Sequence, residues 1–181
     1  ISEAKGYTTL LEALEILKAK GMNIKTTVVG GPLTAADEAY ADFLTKEVVR
    51  RGLSEIVTFA DAVPNAEIAE YLSQADLFVN MSKTGSLDKA VLEAIAAGVP
   101  VLTSNEGLRS TLAGFEKTCM FKEDDAKDFA AHVEHFMSMS EEERSALGNR
   151  LKKVAAESHD LKTLIPRILQ HFKRPNRDYR D

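Results

Sequence analysis

The chain has 181 residues, of which 44% are hydrophobic and 28% charged, with a formal net charge of -5. That is enough for one domain with a substantial core, and the acidic balance argues against a nucleic-acid binder, which would carry a basic stripe. No apolar run approaches the ~20 residues needed to cross a bilayer, and the one cysteine, Cys119, has no internal partner for a disulfide, which fits a reducing, cytoplasmic location.

Residues 7–20 carry Leu10, Leu11, Leu14 and Leu17 at helical spacing, and Gly21 closes the predicted helix. Residues 24–29 read as a strand that runs into Gly30-Gly31-Pro32. Residues 35–51 read as a polar-faced helix ended by Gly52, and 57–60 as a short strand. A helix is expected over 66–73 with Asn65 as its N-cap. Residues 77–80 and 99–103 read as strands flanking a helix over 88–97, and 118–121 as a last short strand. Helices are expected over 126–137, 141–157 and 161–172, before a polar tail at 173–181. Strands alternating with helices at short spacing argue an α/β fold, a doubly wound, Rossmann-like parallel sheet covered on both faces. There is no internal repeat and no low-complexity segment.

The most informative stretch is 82–101. An apolar strand ends in a small-residue loop, Thr84-Gly85-Ser86, and a helix begins near Asp88. Free amides of a first helical turn point at whatever lies beyond such a strand, and the helix dipole favours negative charge there. Glu93 stands one turn further on, in a helix otherwise small and apolar. In open parallel sheets ligands bind beyond the carboxyl ends of the strands. The loops at 30–32, 61–65, 81–88 and 104–107 share that edge, and Lys5 is expected beside them.

Leu92-Glu93-Ala94-Ile95-Ala96-Ala97-Gly98-Val99-Pro100-Val101 closely matches the second half of a known signature. It resembles the glutamate-Ala…Ala-x-Gly-x-Pro-Val pattern of the group 1 retaining glycosyltransferases, whose two-domain architecture is the GT-B fold. Lys5-Gly6-Tyr7 is similar to that family's Lys-Gly at the first helix of the donor domain, and Val28-Val29-Gly30-Gly31-Pro32 to its strand-to-Gly-Pro turn. The first half of the signature departs: Gly85 stands where the family has its first glutamate.

The resemblance implies that residues 1–172 form the donor-binding half of a GT-B enzyme, with a strand ending in Gly-Arg just before Ile1 and an acceptor-binding N-terminal domain outside this chain. It implies transfer of a sugar from a nucleotide-diphosphate sugar to a glycan, lipid or small-molecule acceptor, as in polysaccharide biosynthesis. No cofactor and no metal are expected, and the full enzyme could associate peripherally with a membrane.

Lys5 then resembles the lysine that neutralises the leaving diphosphate, and is the expected catalytic residue. Glu93 resembles the glutamate that accepts the ribose hydroxyls. Gly85, Ser86 and Leu87 would offer amides to the sugar or distal phosphate. Asp88 reads as either N-cap or sugar contact, and Lys89 as either a surface lysine or a phosphate contact. Gly30 and Gly31 permit close approach of a nucleotide, and Asn65 and Val63 could flank its base. Glu106 and Gly107 are weaker candidates. Glu123-Asp124-Asp125 reads as a helix start favoured by the dipole rather than a metal site, and His132 and His135 as an ordinary helical pair. His159 and His171 are far from the loops, and Cys119 reads as packing.

Two other functions fit the same elements: a nucleotide-sugar epimerase of this fold, and a non-catalytic flavodoxin-like binding module.

Overall fold

The computed structural model describes residues 1–83 and 87–159 and, beyond these, only 162, 165, 166 and 169. A 3-10 turn, Glu3–Lys5, leads into α1 (Tyr7–Ala19), followed by β1 (Thr26–Val29), α2 (Ala35–Arg50), β2 (Val57–Ala60), α3 (Ile68–Ser73) and β3 (Phe78–Asn80). Then come α4 (Lys89–Ala97), β4 (Val101–Thr103), a 3-10 turn at Glu106–Leu108, α5 (Glu116–Cys119), α6 (Ala126–Ser138) and α7 (Glu141–His159).

The strands pair in parallel, β1 with β2 from Thr26 opposite Val57, and β3 with β4 from Phe78 opposite Val101. Each pair is joined through a helix, α2 or α4, as a parallel crossover requires. Alternation along the strands feeds two hydrophobic cores. Val79 and Leu102 face the core built on α1, α2 and α6, whereas Phe78 and Val101 face the core built on α4 and α7. Both faces of β3 and β4 are therefore covered, as expected for a doubly wound sheet.

Two expectations are corrected. The strand at 118–121 is instead the short helix α5, with Met120 reduced to a single bridge opposite Thr103. The Glu116 carboxylate accepts the Gly114 N–H at 2.8 Å and starts a helical turn that local β-propensity did not reveal. Asn65 is not an N-cap either. The Pro64 carbonyl accepts the Glu67 N–H at 2.8 Å, so a turn over 65–67 precedes α3 and Glu67 occupies the cap without a side-chain bond. The helix expected over 161–172 and the tail at 173–181 fall outside the described residues, apart from the four positions named above.

Cys119 is fully buried in the second core, and burial pushes its thiol up to about 12. The thiolate is the reactive form. Cys119 should resist alkylation by iodoacetamide at pH 8 in the folded chain and react in denaturant. Rapid labelling of native protein would contradict this packing.

Candidate functional site

The first six residues run along the carboxyl edge of the strands. The Ile1 nitrogen donates to the Gly31 carbonyl at the end of β1, at 2.6 Å, and the Lys83 N–H beyond β3 donates to the Ala4 carbonyl at 3.1 Å. Between these ties Gly6 is pressed against Met81. It has φ +69°, and a Cβ there would lie 2.7 Å from the Met81 carbonyl oxygen. Only glycine combines that left-handed backbone with so close an approach. The Lys5 turn is thereby fixed over the end of β3. Gly30 also has a positive φ, +124°, with open space where a side chain would be.

The start of α4 meets this turn. Asp88 is its N-cap, one carboxylate oxygen accepting the Ala90 N–H at 3.1 Å. The other oxygen accepts from the Lys5 ammonium at 3.1 Å and from the Asn80 amide at 2.9 Å. The relay continues inward. Thr103 donates its hydroxyl to the Asn80 side-chain carbonyl at 2.9 Å and accepts the Asn105 N–H at 3.0 Å, and Asn105 accepts the Gly107 N–H at 2.9 Å. Asn80, Thr103 and Asn105 are all buried, so these bonds meet the demand that buried polar groups be satisfied. Burial pushes the Asp88 carboxyl upward. The hydrogen bond and charge of Lys5, with the Ala90 and Asn80 donors, outweigh it and hold the group below its ordinary value.

Of the residues singled out in the sequence, Lys5 and Asp88 are thus brought into contact. Asp88 takes the N-cap role, with both of its oxygens engaged. Glu93 is half-buried, one turn into α4, and pairs with Lys89 at 3.0 Å. Leu87 is described and half-exposed, at 48%. Gly85 and Ser86 lie outside the described residues. Gly30 and Gly31 reach the same edge through Ile1, whereas Asn65 is exposed in its turn.

Sequence reasoning missed Asn80, Thr103 and Asn105. The available signal was a polar residue at the end of each apolar strand, Asn80 after Val79 and Thr103 after Leu102. It also missed the pairing of Lys83 with Asp124 at 2.6 Å, which raises the lysine pKa through that hydrogen bond. Asp125 caps α6 by accepting the Asp128 N–H at 3.0 Å, and His132 bonds the Asp128 carbonyl at 2.9 Å. Of the acids at 123–125, Asp125 therefore anchors the helix start, and Asp124 is engaged by Lys83 and Thr9. Two shallow concavities lie beside Glu141 and Ser145, and one of them reaches Asp76 and Pro100, at the opposite, amino end of β3 and β4.

The family model described as glycosyl transferases group 1 matches residues 1–154. The chain belongs to the group 1 glycosyl transferases. Among curated proteins, the amylovoran biosynthesis glycosyltransferase AmsK of Erwinia amylovora is 30% identical over 139 residues, covering 72% of this chain and 32% of AmsK. The chain thus spans about a third of that relative's length. Among solved structures, Anabaena HepE in complex with UDP superposes with a TM-score of 0.82 at 19% identity, covering 94% of this chain and 46% of HepE. The C-terminal domain of the group 1 protein LpcC from Francisella tularensis superposes with a TM-score of 0.77 at 18% identity, over 89% of this chain and 83% of that domain. At these identities the superpositions establish the fold, one Rossmann-like half of the GT-B architecture. Among the described residues, no helix of this glycosyl transferase chain is long and apolar enough to cross a membrane.

Proposed function

We propose that this chain is the donor-binding half of a retaining glycosyltransferase that uses a nucleotide-diphosphate sugar. The observation that carries the reading is the Lys5 ammonium, carried on a backbone turn fixed by the Gly6–Met81 contact and held by Asp88 at the start of α4, within a group 1 glycosyl transferase domain. A lysine is a compact cation for a diphosphate, and charge that develops on a leaving diphosphate is stabilised best by a group already in place. Glu93 would take the ribose hydroxyls, and the amides beyond β3 the distal phosphate. The superposition on a protein solved with UDP and the match to a C-terminal domain both favour this assignment. The acceptor would bind a separate N-terminal domain, and AmsK, a glycosyltransferase of amylovoran biosynthesis, favours a glycan acceptor.

In this reading Lys5 supplies the positive charge and no divalent metal takes part. Calorimetry with UDP should give the same affinity with and without EDTA. Lys5→Ala should weaken binding roughly tenfold to a hundredfold, the loss of one charge-assisted hydrogen bond of about 1.5–3 kcal/mol. The chain alone should bind the nucleotide without transferring sugar. Loss of UDP binding on chelation would overturn metal independence, and unchanged affinity in Lys5→Ala would remove that residue from the site.

A further inference from the structure

We infer that Asp88 is a resident counter-ion for Lys5 that sets the strength of the anion site, so that a diphosphate reaching Lys5 must share its ammonium with a fixed carboxylate. The inference rests on the reading of Lys5 as the diphosphate partner.

At this edge Lys5 pairs with Asp88, Lys83 with Asp124 and Lys89 with Glu93. The three carboxylates are not equivalent. Asp124 and Glu93 side chains are 53% and 33% exposed, against 13% for Asp88. An exposed carboxylate is screened by solvent and salt. Asp88 is shielded from both and held in place, because one oxygen caps α4 through Ala90 and the other is held by Asn80, which Thr103 fixes in turn. Lys5 is the more exposed partner. Its side chain is 44% exposed, and an ammonium has three donors, of which Asp88 takes one. A diphosphate therefore meets a cation whose field is offset by a fixed negative charge a hydrogen bond away. The lowered pKa of Asp88 means that this charge is present at neutral pH.

Removing the charge while keeping the cap should tighten anion binding. Asp88→Asn retains an acceptor oxygen for Ala90. Asp88→Ser is a second neutral N-cap, in case the first variant folds poorly. Both are compared with the unaltered chain by calorimetry against UDP, inorganic pyrophosphate and uridine, with melting curves as the folding control. The expected result is about tenfold tighter binding of UDP and pyrophosphate, or about 1.4 kcal/mol, with uridine unaffected. Equal or weaker anion binding by both folded variants, while Lys5→Ala still loses UDP, overturns the counter-ion assignment and leaves the nucleotide reading standing. A chain that takes up no UDP in any of these forms overturns both. Equal tightening of uridine also overturns the assignment, because a gain that ignores charge is not electrostatic.

Discussion

Gly148→Ala is expected to lower the melting temperature by several degrees and to weaken nucleotide binding only through unfolding. Gly148 lies in α7 where that helix crosses the end of α4. A Cβ there would sit 2.0 Å from the Gly98 carbonyl oxygen and 3.3 Å from the Pro100 ring. The obstacle is backbone and a proline ring, so no side chain can rotate away. Alanine in place of glycine gains about 1 kcal/mol in a helix interior. Forcing a methyl into filled space costs about 3 kcal/mol, so overpacking wins by about 2 kcal/mol. In a domain of this size that is a fall of roughly 4–8 °C. The site depends on this contact because α7 holds α4 against β4, and α4 carries Asp88 and Glu93. A melting curve decides the point: a Gly148→Ala chain that melts at or above the parental temperature would mean that α7 is not seated on Gly98.

The fold was legible in the sequence wherever a local pattern and a local stop signal agreed. Leu10, Leu11, Leu14 and Leu17 lie on the buried face of α1, and Gly98 ends α4 as its position before Val99-Pro100 implied. Asp88 was readable as an N-cap because capping spans only a few residues of chain. The misses have two physical origins: local bonds that residue propensity does not weigh, and contacts between residues far apart in the chain. Residues 118–121 look like a strand until the Glu116 carboxylate is seen closing on Gly114. Ile24 lies before the paired part of β1 and packs on the first core from there. Lys5 and Asp88 lie 83 residues apart and Asn80 and Thr103 lie 23 apart, so the relay that organises the site exists only once both strands are in register. The motif therefore located the carboxyl edge, while the partners of its charged groups came from the folded chain.

Glu93→Gln is expected to weaken UDP binding roughly tenfold to a hundredfold while leaving the melting temperature within about 2 °C of the parent. The two halves of this expectation come from different neighbours. In the free chain Glu93 pairs with Lys89, four residues earlier in α4, and the lysine side chain is 79% exposed. Such a pair is worth about 0.3–0.5 kcal/mol, and less in this order, with the lysine nearer the helix start. Its loss scarcely changes stability. A ribose is a different partner, because its two hydroxyls donate to a carboxylate, and each charge-assisted bond of this kind carries about 1.5–3 kcal/mol. Glutamine keeps the shape and one acceptor oxygen but not the charge, so binding suffers where folding does not. Lys89→Ala separates the two roles of Glu93. If the carboxylate serves the ribose, freeing it from Lys89 leaves UDP affinity intact or slightly improved. If Glu93 matters only as the partner of Lys89, then Glu93→Gln and Lys89→Ala will shift the melting curve alike and leave UDP titrations unchanged, and Glu93 then has no part in nucleotide recognition.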